Sequence, residues 1–289
     1  MAIWNLGSIN ADFTYRVPHL PTAGETLAST AMSRGLGGKG ANMSVAAARA
    51  AAHVYHIGAI GSDGVWAKDR LLEYGVDTRF IAQVEHSTAH AIIAVDEGGE
   101  NQIILHPGAN HHVPKDLILS ALSQANAGDI FVTQNETSGQ IEAMRTARSM
   151  GLRTVYAAAP FDVSAVAAVK DLTDILILNE VEAEQLSSAM GMPATDLGIA
   201  QVVMTKGSKG ATVYENGNHF DIAAIPVEAV DTTGAGDTFA GFYIAGLDRG
   251  MPAQQALDLA SLAAAIMVTR VGTADVIPDL KDIEDSRLR

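Results

Sequence analysis

From about residue 114 onward, apolar runs of strand length alternate with longer helical stretches. The pattern predicts a helix over Lys115–Asn126, a strand at Asp129–Thr133, a helix over Ser138–Met150 and a strand at Thr154–Ala158. A further helix, a strand at Ile175–Leu178, a helix over Val181–Met190 and a strand at Gln201–Thr205 follow. Near-continuous apolar strands separated by helices imply βαβ units and a parallel sheet covered on both faces. Earlier in the chain, Ile3–Ser8 reads as a strand ending in a polar turn. Lys39–Ala52 reads as an Ala-rich helix, Val54–Ile60 as an apolar strand and Val65–Tyr74 as a helix. Two glycine-marked strands (Ala211–Tyr214, His219–Ala223) and two Ala-rich helices (about 235–248 and 253–268) close the pattern. Two stretches break it. Thr26–Arg34 is polar and half-alternating, and Ala89–Leu105 reads as two strands around the turn Asp96–Glu100. Strands wet on one face do not fit a sheet buried on both. The stretches near 11–34 and 88–107 are therefore expected to form a small lid inserted into a single α/β domain spanning 1–289.

Composition narrows the class. With 289 residues, 48% hydrophobic and 18% charged, the chain can bury a large core and is too apolar for disorder. Its 19 basic and 33 acidic residues leave a net charge of −14, so no overall field gathers nucleic acid or an anionic membrane. An anionic substrate must be held by local groups. The absence of cysteine excludes disulfides, a thiol nucleophile, iron–sulfur clusters and Cys-ligated zinc. Apolar stretches are interrupted within about ten residues, too short to cross a bilayer. No basic segment precedes an apolar run at the N-terminus, so no cleaved signal is expected, and a soluble cytoplasmic protein is.

The strongest chemical signal is Asp231-Thr232-Thr233-Gly234-Ala235-Gly236-Asp237 at the start of a predicted helix. Unpaired amides and the helix dipole make such a turn an anion site without Lys or Arg. A carboxylate at its mouth, Asp237, would repel a simple phosphate. It suits a base that deprotonates an attacking hydroxyl while the amides stabilise a transferring phosphoryl group; as an alternative it caps the helix. The second signal is Gly35-Leu36-Gly37-Gly38-Lys39-Gly40-Ala41-Asn42, which matches G-x-G-x-x-G and has Asp63 downstream. The segment before it is too polar for a first Rossmann strand, and Lys39 is followed by Gly, unlike a Walker A loop. The other reading is a close backbone approach to a neutral polar ligand, with Lys39 and Asn42 as donors. Asn10 and Asp12 follow the first strand, and Asn179 and Glu182 follow the strand at 175–178, at sheet edges that hold ligands. Glu182 either reaches a metal-bound phosphate through water or is a first-turn glutamate favoured by the dipole. Thr205-Lys206-Gly207-Ser208-Lys209-Gly210 either wraps a nucleotide or is a hairpin turn. No G-x-S-x-G or H-E-x-x-H occurs, and His111-His112 reads as a solvated loop pair.

DTTGAGD at 231–237, GGKGAN at 37–42, N-x-x-E at 179–182, LGSINAD at 6–12 and HPGAN at 106–110 resemble, in order and over nearly the whole length, the ribokinase-like (phosphofructokinase-B type) carbohydrate kinases. The resemblance implies a three-layer α/β/α fold, with a central mostly parallel sheet and a small β-sheet lid through which many members form homodimers. It implies Asp237 as catalytic base and Gly234, Ala235 and Gly236 as its anion hole. Asn10, Asp12, Gly38, Lys39, Asn42 and Glu136 become sugar contacts, and Asn179, Thr205, Gly207, Ser208 and Gly210 ATP contacts. Glu182 helps position Mg²⁺ through water, while Asp231 and Thr233 bind a monovalent cation, usually K⁺. Two departures stand out. Family members commonly carry Asn-Pro-Ala-Pro where this chain has Ala157-Ala158-Ala159-Pro160, and the stretch 191–200 is shorter than the helix usual there. The second should leave one sheet face thinly covered.

The sequence thus reads as an ATP-dependent kinase for a primary hydroxyl of a small sugar, with D-ribose favoured. Fructose, a nucleoside and 2-keto-3-deoxygluconate are the alternatives. An NAD-dependent oxidoreductase using residues 35–40 and a non-catalytic sugar sensor are the rivals from other classes. Two carboxylates and one lysine suit a neutral polyol better than a sugar acid.

Overall fold

The computed structural model describes residues 1–286. β1 (Ile3–Leu6) leaves a large sheet through Gly7-Ser8-Ile9 and continues into β2 (Asn10–Arg16), which pairs with β3 (Ala31–Gly37) in a second sheet. After Gly38 alone, α1 (Lys39–Arg49) begins. β4 (Val54–Ile60), α2 (Val65–Glu73) and β5 (Asp77–Gln83) return to the large sheet, and β6 (Ala89–Val95) and β7 (Asn101–His106) to the small one. The regular region then runs α3 (Lys115–Leu122), β8 (Ile130–Gln134), α4 (Gln140–Ser149), β9 (Arg153–Ala157), α5 (Val163–Val169), β10 (Ile175–Asn179), α6 (Glu180–Met190) and β11 (Gln201–Thr205). The antiparallel strands β12 (Ala211–Glu215) and β13 (Asn218–Ile222) precede α7 (Ala235–Asp248), α8 (Ala253–Met267) and the short α9 (Leu280–Asp285).

The large sheet has nine strands in the order β13-β12-β11-β10-β9-β8-β1-β4-β5 and is parallel from β11 to β5. Its strands feed two cores. Ile175 and Ile177 of β10 face one core, shared with α1, α2, α7 and α8. Leu176 and Leu178 face the other, shared with α3 to α6. That two-sided burial is why the strands carry continuous apolar runs. Small residues allow close helix packing. A Cβ on Gly241 of α7 would lie 2.6 Å from the Met43 carbonyl oxygen of α1.

The small sheet, in order β3-β2-β6-β7, accounts for the wet patterning: β7 is exposed throughout and the first four residues of β3 are exposed. The strand expected at 26–34 starts later, at Ala31, because its pairing partners are the residues of β2 from Asn10 to Arg16. The sequence pattern misses β5 and α9. The short stretch 191–200 does not leave the sheet bare. Ala194, Leu197 and Ile199 are buried in the second core beside Leu176 and Val202, so three apolar side chains do the work of a helix. Ala157 is 3% exposed and lies in register with Gln134 of β8.

Candidate active site

Four chain segments converge where the two sheets meet: the β1–β2 turn, the start of α1, the end of β8 and the start of α7. Packing there is backbone on backbone. A Cβ on Gly7 would sit 2.6 Å from the Gly40 Cα, and one on Gly37 would collide with the Asp12 carboxylate. Gly38, the residue before α1, has φ +93°, a conformation that side chains disfavour. Of the glycines that match G-x-G-x-x-G, Gly40 therefore serves this contact and Gly37 makes room for the Asp12 carboxylate. The segment leading into them is β3 of the small sheet, not a central Rossmann strand. Asp63 accepts hydrogen bonds from the Thr88 amide at 2.9 Å and hydroxyl at 2.8 Å, which ties two loops together. Both observations count against the dinucleotide reading.

Glu136, just past β8, joins these segments. Its Oε2 accepts from the Ser8 hydroxyl and from the Lys39 amide at 3.1 Å, and Ser8 Oγ accepts from the Gly40 amide at 3.1 Å. Asn10 is 5% exposed, and its Oδ1 accepts from Asn110 Nδ2 at 2.9 Å; Asn110 in turn accepts from the Ile9 amide. Asn110 belongs to the HPGAN motif, and its role is to hold Asn10 and the β1–β2 turn. His111 and His112 follow it, and His112 stacks on His86 with ring centroids 3.4 Å apart.

Asp237 is 8% exposed in the first turn of α7, and its Oδ2 accepts from Asn42 Nδ2 at 2.8 Å. Gly234 caps that helix with φ +76° and no side-chain cap bond forms there, so Asp237 is not the helix cap. Burial pushes the Asp237 carboxyl up to about 6; the Lys39 charge and the Asn42 hydrogen bond pull the other way, and Glu136 adds to the rise. Asp12 is pushed up to about 7 by burial and by the charges of Glu136 and Asp237. Lys39 is raised, first by Asp237 and against its own burial, then by Glu136 and Glu182. Three carboxylates thus share one lysine. Asn42 Oδ1 is buried without a protein partner, an acceptor left for a ligand hydroxyl.

Beside this cluster lies a cavity of about 550 Å³. Thr205, Gly207, Ser208 and Gly210 line it, and so do Ala235 and Gly236 of the α7 turn. The 205–210 stretch is both the turn between antiparallel β11 and β12 and a wall of the cavity. The rest of the lining escaped the sequence reading: Ile225 and Val227 after β13, Phe239 of α7, Ala264 of α8 and Val268 just past it. In the sequence they look like ordinary core residues. Asn179 and Glu182 do not line the cavity. They form a reciprocal capping box on α6: Asn179 Oδ1 accepts from the Glu182 amide at 2.8 Å, and Glu182 Oε2 from the Asn179 amide at 2.7 Å. Burial raises the Glu182 carboxyl while the Asn179 amide and Lys39 lower it.

Asp231 bridges two loops, with Oδ1 accepting from the Thr233 amide at 2.9 Å and Oδ2 from the Gly272 amide at 3.1 Å. Among the described residues, no group of three or more His, Asp or Glu side chains is placed to hold a metal ion on its own. Among them, too, no helix is long and apolar enough to cross a membrane.

The pfkB family carbohydrate kinase model matches residues 3–280. The chain is 37% identical to a ribokinase of Haemophilus influenzae over 94% of both chains. Its fold superposes on the ribokinase of Thermotoga maritima with a TM-score of 0.89 at 30% identity, over 98% of each chain. It superposes on an Arabidopsis thaliana ribokinase complexed with ribose and ATP with a TM-score of 0.87 at 28% identity, over 98% of each chain. Motifs that carry the site, sequence relatives and fold agree from end to end, and the chain belongs to the pfkB family of carbohydrate kinases.

Proposed function

We propose that this sugar kinase transfers the γ-phosphoryl group of ATP to a primary hydroxyl of D-ribose. The observation that carries this reading is the Asp237–α7 geometry: a buried carboxylate of raised pKa in the same first helical turn that opens on the cavity. Asp237 takes the hydroxyl proton as the sugar oxygen bonds to phosphorus. The bond from phosphorus to the bridging oxygen breaks, and ADP leaves. Amides at Gly234, Ala235 and Gly236 stabilise charge on the transferring group. Lys39 keeps part of the Asp237 population ionised near neutral pH, as the base role requires. Asp12, Lys39, Asn42 and Glu136 hold the hydroxyls, with Asn10 and Gly38 shaping the turn beneath. Ribokinase relatives, one of them solved with ribose and ATP, favour the pentose.

The apolar wall of Ile225, Phe239 and Ala264 suits a nucleobase, with Thr205, Gly207, Ser208 and Gly210 along the nucleotide. Asn179 acts on this side only through the α6 cap. Mg²⁺, when bound, neutralises phosphate charge. Glu182 would support it through water, since only its Oε2 is used by the cap. Asp231, its two oxygens fixed by amides, and Thr233 suit a K⁺ site that stiffens the anion hole. The small sheet acts as a lid over the sugar. Its apolar strand β7, with Ile103, Ile104 and Leu105 exposed, supports a homodimer formed there. The chain works in the cytoplasm.

Side-by-side kinetics on ribose, fructose, 2-keto-3-deoxygluconate and adenosine, read as ADP release, test the substrate. Ribose is expected to show kcat/KM at least ~10-fold above the others, about 1.4 kcal/mol in transition-state binding. Any other substrate exceeding ribose overturns the pentose assignment.

A further inference from the structure

Beneath the sugar-facing residues runs a row of fully buried polar side chains that no step of the reaction uses. Asn5 of β1, Ser44 of α1, His56 of β4 and Gln134 of β8 are each 0–1% exposed. Asn5 and His56 interrupt the apolar runs of β1 and β4, and hydrophobic side chains at all four buried positions would avoid the cost of burying polar groups. Their partners explain the placement. Asn5 Nδ2 donates to the Gly40 carbonyl at 2.8 Å and to Ser44 Oγ at 2.8 Å. Ser44 Oγ and His56 Nδ1 are 2.8 Å apart, and His56 Nε2 reaches the Gly7 carbonyl at 3.0 Å. A carbonyl can only accept, so Nε2 carries the proton and Nδ1 accepts from Ser44. Gln134 Nε2 donates to Asn5 Oδ1 at 2.9 Å. Burial holds the His56 pKa down at about 4, so the imidazole stays neutral and the row keeps one polarity at working pH.

The row ends on the two glycines, Gly7 and Gly40, whose backbones touch, and on the strand that leads into Glu136. Those are the segments that carry Ser8, Asp12, Lys39, Asn42 and Glu136. We propose that Asn5, Ser44 and His56 are positioning residues of the sugar site, fixing the β1–β2 turn, the start of α1 and the end of β8 in one register. They touch no substrate. Their effect passes through Gly7, Gly40 and Gln134 to the hydroxyl-binding side chains, while the nucleotide wall built on β11, α7 and α8 lies outside the row.

The inference rests on the sugar-kinase reading above, and the test separates the two. Turnover of D-ribose by the unaltered protein is measured first; its absence counts against the pentose alone, and the comparison then uses whichever panel sugar is phosphorylated. The double variant Ser44→Ala with His56→Leu removes both partners of the central bond, and with them the donor to the Gly7 carbonyl and one acceptor of Asn5. Its sugar KM is expected to rise about tenfold, well inside the ~10²-fold that a 1 Å misplacement can cost, with the ATP KM within about twofold. His56→Gln, which keeps a donor toward Gly7, should bring the sugar KM back to within about threefold of the parent. Should the double variant not fold, Ser44→Ala alone, a substitution a helix interior accepts, carries the same comparison. A sugar KM within about twofold of the parent in a folded variant, or equal rises for sugar and ATP, would overturn the proposal; a purely structural role predicts a lower Tm without that split.

Discussion

Asn42 Nδ2 donates to Asp237 Oδ2 at 2.8 Å, joining the first turns of α1 and α7 across 195 residues of sequence. The bond ties the Asp237 carboxylate to α1 and favours its ionised form. It also leaves Asn42 Oδ1 buried without a protein donor. One side chain thus holds the Asp237 carboxylate and keeps a second polar atom unpaired.

If Asp237 is the base, Asp237→Asn should lower kcat by ~10²–10⁴, the usual range for that role. The amide oxygen still accepts from Asn42, so the fold and ligand binding should persist. Steady-state kinetics beside calorimetric titration of ribose and ATP check both halves. Near-parental turnover would leave the carboxylate without a catalytic role.

Lys39 holds the Asp237 pKa down against burial, so its loss should be visible in the pH profile. If Asp237 is the base, its ionised carboxylate is the active form, and kcat/KM should fall as pH drops through about 6. In Lys39→Met the carboxylates lose their shared cation, and that acid limb should move to higher pH. Rates measured between about pH 5 and pH 9 decide it; an unmoved limb means another group sets the limb.

The parts of this site that were readable in the sequence and the parts that were not differ for a physical reason. Glycines at 37, 38, 40 and 234 announce themselves because close approach or positive φ excludes other residues. The β8 to β11 strands are legible because burial on both faces makes continuous apolar runs. β5 is not: Asp77, Thr78 and Arg79 open it, and it lies at the sheet edge. The cavity wall is hidden because Ile225, Phe239 and Ala264 are chemically ordinary core residues until the fold leaves space beside them. Asn5 and His56 read as lone polar residues in apolar strands, since the partners that tie them to the turn are 35 to 49 residues away. Asn179 and Glu182 were legible as a motif, but their first structural task is the reciprocal cap on α6.

That dual character makes Glu182 separable. Gln also serves at the third position of a capping box, so Glu182→Gln should retain the parent Tm while removing the charge. If Glu182 supports Mg²⁺ through water, the half-saturating Mg²⁺ concentration should rise by about tenfold or more, as for other outer partners of a metal. Glu182→Ala should lose both Tm and Mg²⁺ affinity. An unchanged Mg²⁺ dependence in Glu182→Gln would leave the residue as a cap alone.

Asp12 carries a stability cost at neutral and higher pH. Its carboxyl is raised from 3.8 to about 7, so the native state binds that proton more tightly than the unfolded chain. The resulting stabilisation is complete below about pH 4 and is lost by about pH 7, where the ionised group sits half-buried near Glu136 and Asp237. An amide at this position does not titrate and carries no such dependence. Asp12→Asn should therefore melt higher than the parent at pH 8, by ~2 °C or more, the response of a chain of this size to roughly 1 kcal/mol. The advantage should shrink as pH falls through 7 toward 4. If Asp12 accepts from sugar hydroxyls, the same variant should also bind ribose more weakly, because an amide replaces the carboxylate. Thermal melts across pH, run beside ribose titrations, test the pairing. A variant that melts lower than the parent at pH 8 would mean that Asp12 contributes native contacts outweighing its burial.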